Sequence, residues 1–393
     1  MSRIFALIAL FFALTIFAST IFASTGVTAS PGQITVDCGA GQTLGAALAK
    51  IDKSAPATVT VKGTCTEFVL VEGFNGLTLN GLPGAALQQP ASNPQSNSYV
   101  LSIYGSQAIT VNGLAVNSLS TIFSGIGIGG GSSNVRLQNV ATDGSWGVVV
   151  YEASQVWLVN VTVNITSGYA AISAFDKSDV HIVNGSIGRP IDSNLYAGVV
   201  ASSGHVTMQG TVIRDMQQGI SIDAGGGVDL VDFDGAVAAH DVIINNPAGT
   251  NLDGVIVANG SSLNLSTITL RIAHAGQPYG SDTAAVLVTD GSTMNAGASL
   301  IVSGSQGQGV MVANNSHAVL AGSSITGGAH GGLVVVNLST AGATEGSALT
   351  TISGNATDLF CDSKSQIAGG ANIANATSVQ CTNLLPGDYE ALP

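Results

Sequence analysis

Seven aspartates, Asp223, Asp229, Asp232, Asp234, Asp241, Asp253 and Asp282, crowd one stretch of a chain with only 23 acidic residues in 393. Two carboxylates flanking a bond can act as acid and base in glycoside cleavage, and several together can supply oxygen ligands to calcium. The competing reading is that these aspartates are solvated corner residues, a role the side chain favours. Arg214 and Arg271 hold the same phase of their repeats nearby. A second set is aromatic: Tyr151, Phe175 and Trp157, with His181 and Arg136. Rings held on a rigid surface suit the apolar faces of sugars, and long covering loops are the alternative use for them. The six histidines occupy different phases of the repeat, so no transition-metal set is expected.

Familiar catalytic motifs are absent. There is no His-Glu-x-x-His, Gly-x-Ser-x-Gly or phosphate-loop pattern. The segment from Gly125 to Gly130 matches G-x-G-x-x-G but precedes a strand pattern, so it reads as a chance match to the dinucleotide fingerprint.

The elements that must carry these residues repeat. A small residue followed by alternating apolar residues begins at Gly125, Gly147, Ala171, Gly198, Gly219, Gly254, Ala285, Gly309 and Gly332, at spacings of 21 to 35. A second pattern keeps phase with it, as in Val135 to Asn139, Val156 to Asn160 and Val180 to Asn184. Alternation marks strands, and periods in this range mark solenoids. Asn and Gly at the strand ends suit left-handed corners, where stacked asparagines can bond to one another. The spacing predicts an all-β, single-stranded right-handed parallel β-helix of about 11 coils, stacked about 4.8 Å apart. An antiparallel sandwich is the weaker alternative, because its strands rarely repeat one pattern in phase. Thr43 is placed to cap a helix whose Leu44, Ala47, Leu48 and Ile51 share one face and could cover the first coil.

The same phase turns Tyr151, Phe175, Ser202 and Asp223 outward in one row and Arg136, Trp157, His181 and Thr207 outward in another. It also turns Val149, Val200, Ile256, Leu287, Met311 and Val334 outward together. Such a row implies a partner or overlying loops.

Residues 1–29 resemble an export signal: Arg3, then an apolar run from Ile4 to Phe17, then small residues. A membrane anchor is the alternative, but the run is short for a span. Four cysteines lie in two terminal pairs, Cys38 with Cys65 and Cys361 with Cys381. In an exported chain this suggests two local disulfides, against four buried thiols. The formal charge is −13 with ten Lys and Arg. No basic stripe exists, which argues against nucleic-acid partners. The expected organisation is a signal peptide (1–29), an N-terminal cap (30–76), the β-helix (77–355) and a disulfide-closed C-terminal cap and tail (356–393).

The stretch from Val36 to Glu67 and the coils from Leu77 to Ile352 resemble right-handed parallel β-helix proteins of the pectin-lyase-like superfamily. That group includes lyases, polygalacturonases, tailspikes, adhesins and repeats without activity, so the resemblance implies architecture more than chemistry. Asn251-Leu252-Asp253-Gly254 is similar to the polygalacturonase Asn-Thr-Asp-Gly segment, and Ala329-His330-Gly331 to its Gly-His-Gly. This resemblance implies catalytic carboxylates at Asp253 and Asp282. The following Asp-Asp pair is reduced to Asp282, His330 lies two coils beyond it, and the Arg-x-Lys segment is absent. The lyase resemblance would make Arg214 or Arg271 the base. The expected function is a secreted, periplasmic or cell-surface β-helix that binds carbohydrate or another extracellular surface. A polysaccharide hydrolase or lyase, and a structural spacer or adhesin, are the alternatives. No cofactor is called for beyond optional Ca2+, and no membrane span remains after signal removal.

Overall fold

A computed structural model describes residues 32–91, 99–118, 124–188, 197–233, 241–245, 253–275, 283–296, 299–343 and 349–386. The expected signal, residues 1–29, lies outside them, as do Asp234, His240, Asn251 and Asp282. The chain is an all-β parallel solenoid of about twelve turns, one more than the sequence period suggested. Turns such as Gly32–Asp37 on Ala57–Lys62 lack the small-residue anchor that marks the others.

Three ladders of strands run the length of the solenoid. The first carries the anchors: Tyr99–Tyr104, Ser124–Gly129, Ala197–Ser202, Gln218–Asp223, Asp253–Val257 and onward to Thr357–Cys361. The second has fourteen strands, from Gly32–Asp37 to Gln366–Ala368. The third includes Val212–Arg214, Val242–Asn245 and Thr269–Ala273. Two long strands, Ala141–Val150 and Thr162–Phe175, run from the third ladder into the first, with a register irregularity between Gly144 and Trp146.

Alternation decides which side chains enter the core. Ile126, Val148, Ile172, Val199 and Ile220 stand in register down the first ladder, and all are buried. Each such side chain contributes roughly 1.5–3 kcal/mol by leaving water. No turn could bury these residues alone, so stacking and core formation are one event.

Two corners are stitched by side chains. Asn139, Asn160 and Asn184 adopt positive φ, and Asn160 donates to Asn139, which donates to Asn112 (3.2 and 3.1 Å). This is the expected asparagine stack. A serine stack, unforeseen in the sequence, lines the corner between the first and second ladders. The backbone N–H of Ser132 donates to Ser154 Oγ, and that of Ser154 to Ser178 Oγ. The same pattern runs from Ser261 through Ser292, Ser316 and Ser339 to Ser365. Gly204 and Gly226 interrupt it, because a Cβ there would strike the carbonyls of Ala174 and Ala201.

Toward the N-terminus a short helix, Leu44–Leu48, buries Leu44 and Leu48. Thr43 Oγ1 accepts from Ala46 N–H, and the Glu67 carboxylate accepts from the Leu44 and Gly45 N–H groups. Cys38–Cys65 and Cys361–Cys381 are disulfides, with Cα atoms 5.0 and 4.5 Å apart.

Candidate functional site

The outward face of the first ladder carries an aromatic cleft of about 540 Å³. It lies along the strand Ser124–Gly129, whose Ser124 joins the lining, whose Ile126 and Ile128 point inward and whose Gly127 and Gly129 point outward. Outward glycines leave the backbone bare, and two rings lie on it. A Cβ on Gly127 would fall 2.5 Å from the Tyr99 ring, and one on Gly129 about 2.4 Å from the Tyr151 ring. Within the G-x-G-x-x-G match, Gly127 therefore has a use of its own: together with Gly129 it seats the tyrosines. Tyr99 and Tyr151 stack, with centroids 6.0 Å apart and planes 17° apart.

Trp146 and Phe175 form the opposite wall, 5.9 Å between centroids, and Tyr169 stacks on Trp146 at 5.4 Å. Ala170 and Ala197, in register with Trp146, give these rings a flat buried support together with Val200. Asp176 completes the lining, and Tyr169 is 53% exposed. Burial, followed by the nearby Tyr151 and Glu152, pushes the Tyr99 hydroxyl up to about 12. Burial and Glu152 raise Tyr151 as well. Both phenols stay neutral, so they can donate and accept hydrogen bonds.

Tyr151 and Phe175 stand together in this cleft. Trp157, His181 and Arg136 do not join them. They stand in register on the second ladder, with Thr207 next in the row, as the alternation predicted. Trp157 stacks on His181 at 4.2 Å, and Phe233 meets both edge-on. The expected carbohydrate set is thus divided between two faces. The second face is tied into a charge network. Asp179 accepts from His181 Nε2 (3.1 Å) and lies 3.3 Å from His205 Nδ1, while His205 Nε2 meets Asp229 at 3.1 Å. Asp229 also accepts from Asn264 Nδ2. The bonds to His181 and then His205 hold the Asp179 carboxyl well below the usual range. Asp179 in turn raises His205.

The acidic segment does not converge. Asp253 begins its strand in register with Gln218, whereas Asp223 ends the Gln218 strand. Five residues of extended chain separate the two positions, about 16 Å, too far for a carboxylate pair acting on one bond. Asp229 belongs to the second ladder, and Asp241 pairs with Arg271 (2.6 Å). Asp282 lies outside the described residues. Arg214 and Arg271 differ from the expected common phase: Arg271 aligns with Ile243 and hence Val212, and Arg214 aligns with Asn245. The unequal lengths of the intervening loops hide this offset of two in the sequence.

Asp253 itself is 6% exposed and accepts from Ala284 N–H at 2.8 Å. Burial pushes it up to about 6. Among the described residues, the one His, Cys, Asp or Glu group close enough to share an ion is Cys38, Cys65 and Glu67. Its sulfurs are in the disulfide and its carboxylate caps the helix, so it offers no ion site.

The expected outward apolar row is present, from Val149 through Val200, Ile256, Leu287 and Met311 to Val334. Toward the C-terminus it enters a groove with Phe360 and His330. That groove has few directional groups, and the aromatic cleft is the better candidate. Sequence reasoning passed over Tyr99, Trp146 and Asp176. Trp146 sits one residue before the anchor Gly147, and Tyr99 begins a strand with no small-residue anchor.

No protein-family model matches the sequence, and no curated protein matches it. Among solved structures the chain is similar to the catalytic domain of a GH87 alpha-1,3-glucanase in complex with tetrasaccharides. Identity is 14%, with 89% of this chain and 68% of that one covered, at a TM-score of 0.40. It is similar also to tailspike protein 3 of bacteriophage CBA120 (12%, 86% and 57% covered, 0.36). A third likeness is to PfbA, a surface adhesin of Streptococcus pneumoniae (12%, 89% and 91%, 0.32). At these scores the likenesses carry no argument about activity. Among the described residues no helix is long and apolar enough to cross a membrane.

Proposed function

We propose that this chain is an extracellular glycan-binding solenoid whose sugar site is the cleft formed by Tyr99, Trp146, Tyr151 and Phe175. The observation that carries the reading is the pair of tyrosine rings laid flat on an outward glycine strand, opposite a supported tryptophan. Flat rings on a rigid sheet offer large contact area at little entropic cost. Two disulfides favour an oxidising compartment. The test is a glycan array followed by calorimetric titration of the best oligosaccharide. Trp146→Ala and Tyr151→Ala should each weaken binding by about tenfold or more, the size of one good aromatic contact. Unchanged affinity in both would overturn the reading.

A second reading, a polysaccharide hydrolase or lyase, is favoured by Asp253 alone. A carboxyl pushed up to about 6 suits a general acid. Asp253 shares a row with Trp146, four coil steps or about 19 Å away. Release of reducing or unsaturated ends, abolished in Asp253→Asn, would establish it. No turnover across neutral and uronic polysaccharides would dismiss it.

A further inference from the structure

The charge around the aromatic cleft narrows the sugar, given that the cleft is the glycan site. Four rings face it, and the one charged side chain in its described lining is the exposed Asp176. No lysine or arginine is among the described residues that line it. The adjacent Lys177 belongs to the lining of a different groove, around Gly204 and Gly226. Glu152, next to Tyr151, lies close enough to act electrostatically on Tyr99, Tyr104 and Tyr151, and it accepts from Gly130 N–H at 2.8 Å. Neutral phenol and indole faces with a carboxylate beside them, and with no cation among the described lining residues, attract a cation twice over. The ring quadrupoles and the formal charges act in the same sense. The chain's charge of −13 extends that field.

We propose that the cleft selects a glycan bearing an ammonium group, such as a de-N-acetylated amino sugar, over neutral and uronic sugars. The ammonium sits between the Tyr99–Tyr151 stack and the Trp146–Phe175 wall, with Asp176 as its counter-charge in the lining and Glu152, bonded to Gly130 N–H beside Tyr151, adding to the field. A uronate would bring a carboxylate toward two others and should be rejected.

The experiment titrates three soluble probes of equal length into the protein at mildly acidic pH: a β-1,4-linked glucosamine pentamer, its N-acetylated form and a galacturonate pentamer. The glucosamine pentamer should bind about tenfold tighter than the N-acetylated one. Raising the salt should shrink that margin. In Asp176→Asn combined with Glu152→Gln the ratio of the two affinities should fall severalfold, whatever the change in either affinity alone. Both residues are exposed, and Asn tolerates the left-handed backbone of Asp176 (φ 50°), so the variant keeps its fold. Equal binding of the glucosamine and N-acetylated probes, tighter binding of galacturonate, or a margin untouched by the double variant overturns the selectivity and leaves glycan binding standing. Failure of all three probes, with no array hit, overturns both.

Discussion

Asp253→Asn should remove a pH dependence that the native fold imposes on itself. The carboxyl begins a strand on the outward face of the first ladder, is 6% exposed, and accepts from Ala284 N–H. Burial raises it from 3.8 to about 6. The folded protein therefore keeps a proton that the unfolded chain has released. Stability is highest below the unfolded value, falls as the pH rises between the two, and levels off above about 6. A gap of about two in pKa is worth about 3 kcal/mol. Asparagine keeps an acceptor for Ala284 N–H and never ionises. Its amide hydrogens add a constant cost, which cancels when the two proteins are compared across pH. Urea unfolding of both, from about pH 3.5 to about pH 7.5, reads the effect. Relative to the native protein, the variant should gain about 3 kcal/mol over that range. A difference constant with pH would mean that Asp253 titrates as an ordinary solvated carboxyl. The buried-acid argument, and with it the case for a general acid, would then fail.

Three further outcomes are expected. Gly129→Val should displace the Tyr151 ring and reduce glycan affinity by about tenfold with little change in far-UV circular dichroism, because Gly129 points outward. Intact affinity would show that the ring does not need its glycine seat. Asp179→Asn should cost about 1 kcal/mol, discounted because the Asp179 and His205 side chains are more than a third exposed. His205 is raised, so its contribution is complete below its unfolded value and lost as the pH rises through the folded one. Asp179 is lowered, so its contribution exists above the ordinary carboxylate value and is lost as the pH falls through the depressed one. Urea unfolding should therefore find the variant's deficit largest at mildly acidic pH and smaller in alkali. Reducing Cys361–Cys381, or replacing both residues with serine, should lower stability by about 3 kcal/mol through the freed loop, read by the urea midpoint.

The winding of the chain was legible because its cause is local and repeated. An inward Val or Ile must recur at every second residue of a strand and in every turn, so Ile126, Val148 and Ile172 announce their own alignment. The same alternation placed Arg136, Trp157 and His181 in one outward row, as observed. What lay beyond reach depends on loop length. The offset between Arg214 and Arg271, and the separation of Asp223 from Asp253 on opposite ends of adjacent strands, follow from insertions whose paths the repeat does not encode. The aromatic cleft was half legible. Tyr151 and Phe175 fell in phase, but Trp146 precedes the register irregularity and Tyr99 lies in a turn without an anchor. The glycines beneath the tyrosines carry no signal of their own in the sequence, because a bare backbone declares its use only when something lies on it.

The most direct trial of the glycan site is a crystal structure of the protein with a bound amino-sugar oligosaccharide. A sugar ring lying parallel to Tyr151 or Trp146, over Gly127 and Gly129, with its amine toward Asp176, is the expected result. A sugar seated instead on Trp157 and His181, or beside Asp253 with the cleft empty, would contradict it.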